Sequence, residues 1–182
     1  MDEDLSDEAL MTAYAEGHPD AFETLYARHR TGLFRFVYRQ VRTAPLAEDI
    51  FQDIWQRVIV ARRRFRADAR FVSWLYTIAH NRLNDHWRAQ RHRPEAPTDA
   101  EQRTAAIAAD DDPERSLSQF EQLRRLQLAL EALPPEQREI VIMRLEQGFS
   151  MEEIAEITGV GRETVKSRLR YALDKLRERV RT

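Results

Sequence analysis

Three stripes of polar side chains combine residue types suited to binding other macromolecules. From Arg162 to the C-terminus, eight Lys/Arg stand against three Asp/Glu, a composition for facing phosphates. Upstream, Ser73, Thr77, Asn81, Asn84, Arg88 and Arg91 recur at intervals of three or four. On a helix that spacing makes one hydrogen-bonding stripe ending in positive charge. Arginines and amides beside aromatic rings are the groups that hold phosphates and unstacked bases. A third stripe, Glu48, Asp49, Gln52, Asp53 and Gln56, is acidic and amide-rich and precedes the basic Arg62-Arg63-Arg64, which suits a partner contact. Each stripe alone also fits a solvated helix face.

Enzyme chemistry is not signalled. His18, His29, His80, His86 and His92 lack metal-ligand spacing, and no glycine-rich phosphate loop or nucleophile elbow is present. Asp49 and Asp53 share a helix face, as many surface carboxylates do. No catalytic activity, cofactor or metal is expected.

The elements that must carry these stripes are helices. Ser150 and Glu153 make a capping box before a short helix with Ile154, Ala155 and Ile157 on one face, and Gly159 supplies the turn. A longer helix follows from about Arg162, with Val165, Leu169, Ala172, Leu173 and Leu176 inward. Together they read as a helix-turn-helix, whose second helix can enter a DNA major groove; the alternative is an amphipathic hairpin with a basic solvated face. At the other end, Ser6 caps a helix over Asp7 to Glu16, closed by Gly17. Pro19 opens a long helix to about Arg42, bearing Phe22, Leu25, Tyr26, Leu33, Phe34, Val37, Tyr38 and Val41, with a bend possible at Gly32 and a break at Thr43-Ala44-Pro45. The third helix runs from Leu46 to about Arg64, and residues 65–69 connect it to a fourth, about Arg70 to Arg91. That helix should bury Phe71, Trp74, Leu75 and Ile78, with Tyr76, Leu83 and Trp87 round the side. Helices over about Glu114 to Leu133 and Glu136 to Gln147, separated by Pro134-Pro135, precede the helix-turn-helix. Leu123, Leu126, Leu130, Leu133, Ile140, Val141 and Met143 should help form its small core.

The fold class is therefore all-α: two small helical modules joined by a flexible acidic linker, with a helix-turn-helix in the second. Boundaries fall at 1–93, 94–114 and 115–182. With 182 residues and no cysteine, neither disulfides nor thiolate metal sites are available. No apolar run approaches a membrane span and the first residues are acidic, so a soluble cytoplasmic protein without membrane insertion is expected. A net charge of −2 hides strong segregation. Residues 1–27 hold eight acids and no base, 57–93 ten Arg against two Asp, and 94–121 eight acids against two Arg. Two basic blocks flanking an acidic one suggest two nucleic-acid-facing modules on a linker.

Two long blocks carry a family resemblance: LAEDIFQDIWQRVI…FVSWLYTIAHNRLNDHWR, and LEALPPEQREIVIMRLEQGFSMEEIAEITGVGRETVKSRLRYALDKLR. In this order and spacing they resemble bacterial RNA polymerase sigma factors of the extracytoplasmic-function type, over about Ser6 to Arg93 and Leu117 to Val180. The resemblance implies partners: core RNA polymerase (its beta-prime coiled coil and beta flap), promoter DNA as duplex and single strand, and an anti-sigma factor. It places core binding at Asp49, Gln52, Asp53 and Gln56. It places reading and melting of the −10 element at Asn81, with Arg66, Asp68, Asn84 and Arg88 as neighbours. It places duplex reading of the −35 element at Arg162, Glu163, Thr164, Lys166, Ser167, Arg168 and Arg170. The acidic linker would thread the polymerase channel that nucleic acid later occupies, its charge of about −6 imitating that nucleic acid. One departure is Gly161, where the family commonly caps the recognition helix with Ser or Thr; Gly is a slightly weaker cap. The chain ends close behind that helix, so no extra regulatory domain is expected. The rival readings are a stand-alone helix-turn-helix regulator with a sensor or dimerisation module, and an all-helical protein-interaction adaptor.

Overall fold

The computed structural model describes residues 5–92 and 124–181, and every regular element among them is helical. The helices fall into two compact units. The first unit holds α1 (Asp7–Ala15), α2 (Pro19–Val41), α3 (Ala44–Ala61), a 3-10 turn (Arg62–Arg64) and α4 (Phe71–Arg91). The second contains α5 (residues 124–131), α6 (Pro135–Leu145), the first half of α7 (Met151–Thr158) and α8 (Arg162–Arg181). The expected linker at 94–114 lies outside the described residues, as does Leu123.

Local chemistry accounts for most helix ends. The Ser6 hydroxyl accepts the Ala9 N–H at 3.2 Å and starts α1. Arg42, in the left-handed region at φ 68°, closes α2 in place of the glycine usual there. The chain needs only Arg42 and Thr43 to turn, because Pro45 joins the first turn of α3 rather than breaking it. Gly32 does not interrupt α2, whose 23 residues form one helix. The third helix stops at Ala61, three residues short of expectation, where the backbone tightens into the 3-10 turn.

In the first unit Leu10, Leu25, Leu33, Phe36, Ile50, Ile54 and Leu75 are fully buried. The large aromatics Phe22, Tyr26, Phe34 and Tyr38 are only half-buried. They layer with Phe51 and Trp55 of α3; Tyr26 lies 5.1 Å from Trp55 and Phe34 5.6 Å from Phe51, ring centre to ring centre. The buried face of α4 differs from expectation. Phe71, Leu75, Tyr76, Ala79, His80 and Leu83 face inward, while Trp74 and Ile78 are half-buried. Tyr76 is drawn in by an edge contact with Phe36 at 5.0 Å, and Trp74 is held instead by Phe65 of the connector at 5.3 Å.

A carboxylate distant in sequence begins α4. No side chain near Arg70 caps it, and the Phe71 N–H donates to Glu8 Oε1 of α1 at 2.9 Å. Asp7 anchors that carboxylate's helix, pairing with Arg28 at 2.9 Å and His29 Nε2 at 2.6 Å.

The second unit packs α6 against α8. Leu130, Leu133, Ile140, Ile142, Met143 and Phe149 meet Val165, Leu169, Ala172 and Leu176 in its core. Leu126, expected there, is 41% exposed. The Pro134-Pro135 corner is pinned by Arg138, which is buried. Its Nε donates to the Leu130 carbonyl at 3.0 Å, and its Nη2 to those of Glu131 and Leu133 at 2.8 and 2.9 Å. Burial pushes the Arg138 pKa down from its usual value, and the carbonyl oxygens compensate the charge.

Candidate polymerase and DNA interfaces

On α3, Glu48, Asp49, Gln52 and Gln56 are exposed, as their spacing requires. Asp53 is different. Its Oδ2 accepts a hydrogen bond from Arg82 Nε of α4 and lies 3.5 Å from Arg57 Nη2. The stripe is thus brought together as one face except for Asp53, which is turned toward α4.

The connector between α3 and α4 presents its own charges. Arg66 donates to both oxygens of Asp68, at 3.1 and 2.8 Å, in a fully solvated fork. That hydrogen bonding, and then the charge of Arg66, holds the Asp68 carboxyl below the usual carboxylate range and raises the Arg66 pKa. Both groups therefore stay charged, and the fork is neutral as a pair. Phe65 packs behind it against Phe71 and Trp74.

From the connector, α4 leads away with its polar stripe. Ser73 and Thr77 are half-buried, the Thr77 hydroxyl donating back to the Ser73 carbonyl at 2.8 Å. Asn81, Asn84, Arg88 and Arg91 are exposed. Asn84 is already engaged, its Nδ2 2.8 Å from His80 Nε2. Trp74 sits one and two turns before Ile78 and Asn81, so a half-open indole flanks the amides. An aromatic face, amides and terminal arginines are the groups that can hold an unstacked strand.

In the second unit the capping box forms as its spacing requires. The Glu153 N–H donates to Ser150 Oγ at 3.1 Å, and the Ser150 N–H to Glu153 Oε2 at 2.8 Å. Gly159 makes the turn at φ 67°. Arg162, Glu163, Thr164, Lys166 and Arg170 are exposed on α8, while Ser167 and Arg168 are half-buried. Several are already positioned. Arg162 pairs with Glu152 of α7 at 2.9 Å, Ser167 Oγ donates to the Glu163 carbonyl at 2.9 Å, and the Arg170 guanidinium lies 5.2 Å over the Tyr171 ring. A short helix thereby braces the start of a basic one, the arrangement that offers side chains and a helix dipole to a DNA groove. Among the described residues no three His, Cys, Asp or Glu gather as a metal site.

The family model "Sigma-70 region 2" matches residues 25–93, and "Sigma-70, region 4" matches 129–178. The RNA polymerase sigma factor CarQ of Myxococcus xanthus is 38% identical, across 92% of this chain and 94% of its own. The chain belongs to the sigma factors of RNA polymerase. Within them, the extracytoplasmic-function (ECF) sigma factor SigM of Mycobacterium tuberculosis is 34% identical across 94% of this chain and 83% of its own, which puts this protein in the ECF group. A chain in the co-crystal structure of the sigma factor RpoE with the anti-sigma factor NepR from Bartonella quintana shares its fold. It has TM-score 0.67 and 25% identity, and the match covers 88% of this chain and 97% of that one.

As an ECF sigma factor the protein binds core polymerase, recognises −35 and −10 promoter elements and promotes DNA opening for initiation. The reading as a stand-alone regulator with a sensor module is set aside, because the relatives match across both units. Sigma factors are DNA-recognition proteins rather than enzymes. Reading the sequence missed Arg57, Arg82 and Asp85, which tie the sigma factor's α3 to α4, and Glu8, which starts α4. Alternating charge at 53, 57, 82 and 85 was the available signal for the first three.

The glycine that opens α8 of this sigma factor yields a prediction. The Gly161 carbonyl accepts from Thr164 and Val165 at 2.9 and 3.1 Å, so Gly161 is the N-cap. Its φ lies outside the left-handed region, and an added Cβ meets nothing within 4 Å. Gly161→Ser should stabilise the second unit by about 0.5–1 kcal/mol, through the cap and a less free unfolded chain. Calorimetry should show its transition rising by about 3–6 °C; a fall would mean that the cap geometry is strained.

Proposed function

We propose that residues 1–93 form the module that binds core polymerase and opens the −10 element. Residues 115–182 then form the module that reads the −35 element, and 94–114 an acidic linker imitating nucleic acid in the polymerase channel. Asp49, Gln52, Asp53 and Gln56 meet the beta-prime coiled coil from α3, and the second module meets the beta flap. Asn81 reads the −10 element with Arg88 on the strand phosphates; Arg66, Asp68 and Asn84 shape the surface beside them. Trp74 offers a face on which an extruded base can stack, offsetting an unstacking cost of a few kcal/mol. Arg162, Glu163, Thr164, Lys166, Ser167, Arg168 and Arg170 form the face of α8 that enters the −35 major groove, with the dipole of its N-terminus on a phosphate.

The observation that carries this reading is the exposed amide and arginine stripe of α4 beside a half-open tryptophan. An anti-sigma factor that covers the same surfaces would keep the protein silent, and the relative solved with NepR makes such an inhibitor the natural partner to seek. No helix among the described residues is long and apolar enough to cross a membrane.

Run-off transcription with purified core polymerase on a pooled genomic promoter library tests the proposal. Adding the protein should produce discrete new start sites sharing two spaced upstream elements, and Asn81→Ala should weaken starts while sparing core binding. No new starts and no stable complex with core would overturn it.

A further inference from the structure

The loop over residues 65–70, between the 3-10 turn and α4, carries the Arg66–Asp68 fork, and little of it is buried. Arg66, Ala67, Asp68, Ala69 and Arg70 are exposed, and Phe65 is half-buried against Phe71 and Trp74. Inside the loop the Ala69 N–H donates to the Arg66 carbonyl at 3.0 Å, closing a tight turn. A segment with so few buried groups takes its position from whatever holds its ends.

Both ends are held by α1. Where the loop starts, the Arg62 guanidinium lies 5.8 Å from the centre of the Tyr14 ring, which packs on Phe22 of α2 at 4.9 Å. Where it finishes, Glu8 Oε1 accepts the Phe71 N–H at 2.9 Å. The first N–H groups of a helix have no partner within it, and here the acceptor comes from another helix. The place of Glu8 therefore decides where the loop ends and α4 begins.

The first helix is in turn fixed to α2. Asp7 pairs with Arg28 and His29, and Arg28 Nη1 also donates to the Leu5 carbonyl at 2.8 Å. The His29 ring lies 5.4 Å from that of Phe71, and Leu10 and Met11 are fully buried. None of these residues belongs to the polar stripes of α3, α4 or α8. The helix thus lies outside the binding surfaces described above, yet it grips the loop that borders one of them.

We propose that α1 is a clamp on this loop: Glu8 and Tyr14 are positioning residues that hold its two ends, and so set how sharply the −10 element is read. This rests on the functional reading above, in which Arg66 and Asp68 shape the surface beside Asn81.

The test uses the full chain with core polymerase, on a promoter mapped with the wild-type holoenzyme. The readout is −10 preference, the affinity for that promoter divided by the affinity for one altered at a single −10 position. A mismatched position ordinarily costs about five- to a hundredfold. Glu8→Ala should reduce the preference by about three- to tenfold by releasing the end of the loop. Core affinity, set at a separate surface, should change less than about twofold. Glu8→Gln keeps an oxygen that can accept the Phe71 N–H, and should stay within about twofold of the parent. Tyr14→Leu should lower the preference by about two- to threefold, whereas Tyr14→Phe, which keeps the ring face, should not. Val37→Ala, which removes buried methyls from α2, controls for lost stability and should leave the preference unchanged. An unchanged preference in Glu8→Ala would overturn the proposal. So would a loss in Glu8→Gln or in Val37→Ala as deep as in Glu8→Ala. Hydrogen exchange of the Phe71 amide on the free chain, faster by about tenfold in Glu8→Ala but not in Glu8→Gln, checks the clamp itself. No new start sites with the wild-type protein would overturn the functional reading instead.

Discussion

Replacing Arg138 with Met is expected to weaken protection of the α6 amides at Ile140–Met143 by about two orders of magnitude in hydrogen exchange on the full chain, while α2 and α3 keep theirs. Three carbonyls at the end of α5 and in the turn after it, those of Leu130, Glu131 and Leu133, receive N–H groups from this one guanidinium. The last carbonyls of a helix have no partner within it. Met fills similar space but offers no donor. Hydrogen bonds from charged groups contribute about 1.5–3 kcal/mol each, and a buried acceptor left alone costs about 1–3. The Leu130 carbonyl keeps the Leu133 N–H at 3.2 Å, and relaxation and water entry recover part of the rest, so a net loss of about 3 kcal/mol is expected, a factor of about 100 in opening. Arg138→Lys should recover only a minor part, because a point charge cannot span three carbonyls as a planar fork does. Protection of α6 within about threefold of the parent would mean the corner is held by its prolines alone.

The second large effect concerns α8. Substituting Lys166 and Arg168 together by Ala should reduce holoenzyme affinity for a −35 duplex by about ten- to a hundredfold near physiological salt. The slope of log affinity against log salt should also become shallower by about two, one for each lost phosphate contact. Lys166 is exposed and Arg168 half-buried, one on each flank of the buried stripe of Val165, Leu169, Ala172 and Leu176, so neither removal takes an apolar side chain from the core. Titration of promoter binding at several salt concentrations gives both numbers. An unchanged slope would place these residues away from the phosphates, whatever happened to the affinity.

What could be read in the sequence was what depends on near neighbours. Ser150 and Glu153 are three residues apart, and their reciprocal hydrogen bonds follow from spacing alone. The inward face of α8 followed from period, because its other positions are polar or charged. The fourth helix has large apolar residues around most of its circumference, so spacing alone suggested Trp74 where contact with Phe36 selected Tyr76. Arg138 was invisible for another reason. An arginine reads as surface, and only the fold reveals the helix end it serves. The same holds for Asn84, whose amide meets a buried His80 one turn back, and for Asp53, whose partners lie on another helix.

The bond from Phe71 to Glu8 spans 63 residues, and that span has a kinetic meaning. During synthesis α1 emerges first and must wait for α4 before its carboxylate finds a donor. A contact that closes so long a loop forms late, after the nearer helix pairs have collapsed. Interactions formed after the folding barrier act chiefly on the rate of unfolding. Glu8 therefore acts chiefly on how fast the first unit unfolds, and little on how quickly it assembles.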